Sequence, residues 1–105
     1  MVFEKQLYEI EFTDECLEEI KEIYEYISKK LIAKEAAKRL MKIVKSRILN
    51  LSKSLYLYMK IGKTDKLKRE YHRIIIKNYV ILYTIDENNK KVFISHMIYG
   101  KRNYL

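Results

Sequence analysis

The chain has no proline, no tryptophan, two glycines and one cysteine in 105 residues, and these scarcities exclude several classes of protein. No Pro-, Gly- or Ser-rich stretch offers a linker on which to divide the chain. The length suits one hydrophobic core, so residues 1–105 are read as a single domain. A lone Cys16 cannot close an internal disulfide and has no CxxC or Cys/His companion at zinc-ligand spacing. It is expected on a helix surface or at the edge of the core, with no reactive role, and no metal or cofactor is expected. Apolar runs fall short of the roughly 18 to 20 residues that cross a bilayer, and Met1-Val2-Phe3-Glu4-Lys5 lacks the apolar stretch of a secretory signal. The expectation is a cytoplasmic protein with no membrane partner.

The composition is that of a folded domain, with 49% hydrophobic and 34% charged residues and a net charge of +8. The charge is unevenly spread. Residues 1–30 hold nine acidic side chains against four basic ones, a balance of −5, which leaves 18 basic and five acidic residues, or +13, for the remainder. Such separation suits an anionic partner, because a concentrated positive face raises the local concentration of phosphate or acidic peptide. The alternative is two solvated helix faces of opposite sign.

Tyr8-Glu9-Ile10-Glu11-Phe12 alternates apolar and acidic residues, which predicts a half-exposed strand with Tyr8, Ile10 and Phe12 buried. Thr13 or Asp14 supplies an N-cap oxygen, and Asp14, Glu15, Glu18 and Glu19 favour the positive end of the helix that follows. Leu17, Ile20, Ile23 or Tyr24, Ile27 and Leu31 make its apolar stripe. After a break near Leu31 to Lys34, Ala37, Leu40, Met41, Val44, Ile48 and Leu51 predict a second helix with Lys38, Arg39, Lys42, Lys45 and Arg47 on its other face. So short a link makes the pair an antiparallel hairpin. Residues 52–68 lose all period and are read as a long basic loop anchored by Leu55-Tyr56-Leu57-Tyr58-Met59. Three apolar runs, Tyr71 to Ile76, Tyr79 to Ile85 and Val92 to Tyr99, are separated by turn-like segments and form an antiparallel meander. The middle run is apolar throughout, as a central strand covered on both faces requires. The fold class is α+β: an N-terminal strand, a two-helix antiparallel hairpin, then a three-stranded antiparallel meander.

That order resembles the RelE/ParE superfamily of bacterial type II toxins, with three local features in support. They are Tyr8-Glu9-Ile10-Glu11-Phe12-Thr13 leading into an acidic helix, Arg69-Glu70-Tyr71-His72-Arg73 ahead of Asn78-Tyr79-Val80-Ile81-Leu82-Tyr83, and a closing Tyr99-Gly100-Lys101-Arg102-Asn103-Tyr104. The resemblance implies a growth-arresting toxin held inactive by a cognate antitoxin protein. Its target would be DNA gyrase, as in ParE-like members, or the ribosome and its mRNA, as in RelE-like members.

Metal-independent RNA cleavage needs a base for the 2′-hydroxyl, cations for the phosphate and an acid for the leaving oxygen. By resemblance to RelE-like enzymes, the catalytic candidates are Arg102, Tyr104, Arg73 and His72. Lys60, Lys63, Lys66, Lys68 and Arg69 would bind the nucleic acid or other target. Two departures favour the ParE-like reading. Ile74-Ile75-Ile76 and Val80 stand where RelE-like enzymes carry arginines, and Gly100-Lys101-Arg102-Asn103 is closer to a ParE-like ending. His96 is expected as a hydrogen-bonded, semi-buried side chain on one strand face with Val92, Ile94 and Ile98, and His72 as either a surface residue or a proton carrier. Arg69 and Arg73 share a face with Tyr71 and could instead pair with helix acids.

Overall fold

A computed structural model describes residues 8–51, 60–63 and 70–100. Strand β1 (Glu9–Phe12) leads into helix α1 (Asp14–Glu25), a π-helical segment Tyr26–Lys30 and helix α2 (Lys34–Leu49). Strands β2 (Lys60–Lys63), β3 (Glu70–Ile76), β4 (Tyr79–Asp86) and β5 (Lys91–Tyr99) follow. All five strands form one sheet in the order β1-β5-β4-β3-β2. Among the described residues no helix is long and apolar enough to cross a membrane.

Thr13 caps α1, its hydroxyl oxygen accepting from the Cys16 backbone N–H at 3.1 Å, while Asp14 and Glu15 occupy the first turn. In α2 the apolar spacing buries Ala37, Leu40, Val44 and Ile48, with Leu51 beyond it, against the sheet. Each fully buried aliphatic side chain of this kind contributes about 1.5–3 kcal/mol. The facing sheet surface supplies Ile74, Ile76, Ile81, Tyr83, Val92, Ile94 and Met97 to the same cluster. Tyr71, Val80, Leu82 and Ile98 make a second cluster from the alternate positions, so β4 is buried on both faces as its sequence requires.

The meander and the hairpin stand as expected, and five features differ. Cys16 is fully buried in the main cluster, because Thr13 fixes the start of α1 so that this position turns inward. Leu17 and Leu31, placed on the apolar stripe by spacing, are 51% and 55% exposed, and Phe12 is 36% exposed at the end of β1. The supposed basic loop contains β2, which pairs antiparallel with the edge of β3 through a register shift between Lys60 and Gly62. Lys60-Ile61-Gly62-Lys63 has no alternating pattern, so only pairing with a neighbour makes it a strand. The N-terminal strand pairs parallel with β5, Glu9 with Lys91 through Phe12 with Ile94, and Lys91 donates to Glu11 at 3.0 Å. Finally, a bulge in β5 opposite Leu82 and Tyr83 advances its phase, putting His96 and Ile98 on the face opposite Val92, Ile94 and Met97.

At the far end of the hairpin the chain turns through the π-helical segment. Leu31 N–H donates to Tyr26 O at 3.1 Å and Ala33 N–H to Ile27 O at 3.0 Å, a closure that sets Ile32 at φ 49°. For an L-residue this region costs roughly 1–2 kcal/mol, and a branched β-carbon makes it worse.

Candidate functional site

Alternation along β3 separates two of the candidate residues. His72 is opposite Tyr83 and shares the helix-covered face, 8% exposed, with its ring stacked on Tyr83 at 5.2 Å between centroids and 20° between planes. Arg73 is opposite Leu82 on the other face. It lines a shallow hollow with Ile75, Lys77, Asn78, Tyr79, Val80 and Gly100.

The same hollow lies beside Gly100, just past the end of β5. Gly100 N–H donates to Asn78 O at 2.6 Å, and a β-carbon at Gly100 would lie 3.1 Å from that oxygen, so the close strand exit suits glycine. Beside it Tyr79 and Tyr99 meet edge to face at 5.8 Å. Burial, together with the phenols of Tyr99 and Tyr26, holds the Tyr79 hydroxyl above its usual pKa. The structure thus brings Arg73 into one hollow with Gly100. The backbones of Lys60 and Lys63 pair with His72 and Glu70, near the opposite end of β3. Lys66, Lys68, Arg69, Arg102 and Tyr104 lie outside the described residues.

His96 keeps the expected semi-buried role, its Nδ1 3.2 Å from a Glu19 carboxylate oxygen. The other Glu19 oxygen accepts from the Met97 backbone N–H at 2.9 Å, so α1 closes the edge of β5 beyond the point where β1 ends. Sequence reasoning treated Glu19 only as a charge near the helix start. Burial and the nearby Glu19 push the Cys16 thiol up to about 12, so it stays protonated and inert. Among the described residues no three His, Cys, Asp or Glu side chains gather as a metal site would need.

An apolar concavity lies between the helices and β1. Ile10, Phe12, Ile20, Met41, Val44, Ile48 and Leu49 line an almost wholly apolar groove, with Lys45 at its margin. Leu49 is 62% exposed. Exposed lysines 34, 38, 42 and 45 run along α2 at spacings of four, four and three, forming a basic ridge beside the groove.

A hairpin of helices over a five-stranded sheet, with one edge strand parallel and an apolar groove open at that edge, defines a small α+β class. Residues 10–104 match the family of ParE toxins of type II toxin-antitoxin systems (parDE), and the chain belongs to that family. Its fold is that of the chromosomal ParDE toxin-antitoxin system from P. aeruginosa, with a TM-score of 0.68 and 12% identity over 89% of this chain and 96% of that one. It is also similar to the RelBE2 toxin-antitoxin complex from Mycobacterium tuberculosis, with a TM-score of 0.61 and 15% identity over 90% and 99% of the two chains. None of the curated proteins matches it by sequence. The superfamily resemblance read from the sequence therefore holds.

Proposed function

We propose that the chain is a growth-arresting toxin that inhibits DNA gyrase and is neutralised by a cognate antitoxin seated in the groove between α1, α2 and β1. The observation that carries the target is the split between His72 and Arg73. A nuclease must gather proton carrier and cation at one phosphate. Here the imidazole packs on Tyr83 beneath the helices and the guanidinium faces the other way. A protein-binding inhibitor has no such requirement, and the two arginines missing from the stretches Ile74-Ile75-Ile76 and Val80 agree with it. On this reading Arg73, Arg102 and Tyr104 serve target binding, as do Lys60, Lys63, Lys66, Lys68 and Arg69.

The groove fits an amphipathic segment, because its floor is apolar and its α2 margin carries lysines that pair with acidic residues on the occupant. Both known solved relatives named above are toxin-antitoxin systems, which supports an antitoxin as that occupant. The test is supercoiling of relaxed plasmid by purified gyrase with the purified toxin added, alongside ribosomes programmed with a defined mRNA. Loss of supercoiling with intact message is the expected result. Cut message with unaffected gyrase would instead favour the RelE-like ribonuclease.

A further inference from the structure

The hairpin tip breaks two rules of protein surfaces at one residue. Ile32 is 87% exposed, and it is a β-branched residue held at φ 49°. Glycine or asparagine would serve that conformation without strain. Leu31 beside it is 55% exposed, and the exposed lysines 29, 30 and 34 flank the pair. The conformation is fixed rather than loose, since Leu31 and Ala33 are both tied back to the π-helical segment by backbone hydrogen bonds. Insertions of this helix type are frequent at functional sites. A strained apolar knob that the surrounding backbone holds outward is a feature from which function can be argued.

We propose that Leu31 and Ile32 form an anchor that enters an apolar pocket ringed by carboxylates on the toxin's target protein. The inference rests on the gyrase reading above and adds a second contact to it. Lys29, Lys30 and Lys34 outnumber Glu35 around the tip and fix the sign of the rim, the acidic row of α1 having ended at Glu25. Along α2 the antitoxin groove runs from Met41 to Leu49, its nearer end roughly 12 Å from the tip at 1.5 Å per residue, so filling it leaves the tip free. The tip instead shares an end of the molecule with Tyr79, Tyr99 and Gly100. Tyr26, one turn before it, lies close enough to Tyr79 to influence its hydroxyl, and Tyr79 packs on Tyr99 next to Gly100. The tip and the Tyr79–Tyr99 end of the sheet together present one contact end. An anionic membrane fits less well, because two side chains bury less apolar surface than the single acyl chain that already binds only marginally.

The test compares wild type, Ile32→Gly and Lys30→Glu in gyrase supercoiling, with thermal melts as a control. Glycine removes the knob and relieves the backbone, so Ile32→Gly should melt at the same temperature or a few degrees higher. It should nevertheless require about tenfold more protein for half-inhibition, the effect of one buried aliphatic contact. Lys30→Glu should also weaken inhibition. If wild type and Ile32→Gly inhibit equally, the anchor is wrong while the gyrase reading stands. If wild type leaves gyrase untouched, both fall. Binding of wild type, but not Ile32→Gly, to phosphatidylglycerol vesicles with gyrase inhibition unchanged would assign the tip to membranes and overturn the proposal.

Discussion

Replacing Glu19 tests whether α1 closes the exposed edge of β5. Its two oxygens accept from Met97 N–H at 2.9 Å and lie 3.2 Å from His96 Nδ1. A hydrogen bond to a charged acceptor contributes about 1.5–3 kcal/mol, and stranding a buried donor costs a similar amount. Because the Glu19 side chain is 28% exposed, water can replace part of what is lost. Glu19→Ala should therefore destabilise the domain by about 1–2 kcal/mol in urea unfolding followed by circular dichroism. Glu19→Gln keeps an acceptor for Met97 but puts an amide in place of the carboxylate beside His96, and should lose less than half as much. Hydrogen exchange localises the effect, since the Met97 amide should lose protection in the alanine variant before its neighbours in β4. If Glu19→Ala unfolds within about 0.5 kcal/mol of wild type, the range of an ordinary surface substitution, the edge is closed by something else and the argument fails.

Cys16 should resist alkylation in the native protein at pH 8 and react once urea unfolds it. Its folded pKa of about 12 exceeds the ordinary 9.0, so the thiol's contribution is intact below pH 9 and is lost as pH climbs toward 12. The stability of wild type relative to Cys16→Ala should decline over that range. Leu40→Ala, at a position 4% exposed under α2, should cost about 2–5 kcal/mol in the same unfolding measurement. Leu49→Asp puts a charge on the open wall of the groove and should weaken antitoxin capture about tenfold or more in calorimetric titration, leaving gyrase inhibition by the free toxin intact.

Local patterning carried most of the architecture. The continuous apolar run Tyr79 to Ile85 and the three- and four-residue spacing from Ala37 to Ile48 survive in the fold, as a strand covered on both faces and a helix with one buried stripe. A cap at Thr13 or Asp14 was legible because its chemistry is local, and Thr13 is the one that supplies it. What escaped depends on distant partners or on phase. β2 exists only through its pairing with β3, and the parallel β1–β5 pairing links residues about eighty positions apart. The bulge at Leu82/Tyr83 shifts His96 to the other face, which no period of two could reveal. For the candidate site, Arg73 could be placed by alternation, but that same alternation separates it from His72, because neighbouring residues on a strand point to opposite faces. Ile32 left no clear mark in the sequence, since an isoleucine in a helix turn looks like core until its backbone is seen.

Inducing this toxin alone in growing bacteria and measuring plasmid supercoiling beside transcript integrity tests the central claim most directly. The account predicts relaxed or cleaved plasmid with full-length messages, reversed when the antitoxin is supplied. Normally supercoiled plasmid with messages cut in codon register would contradict it.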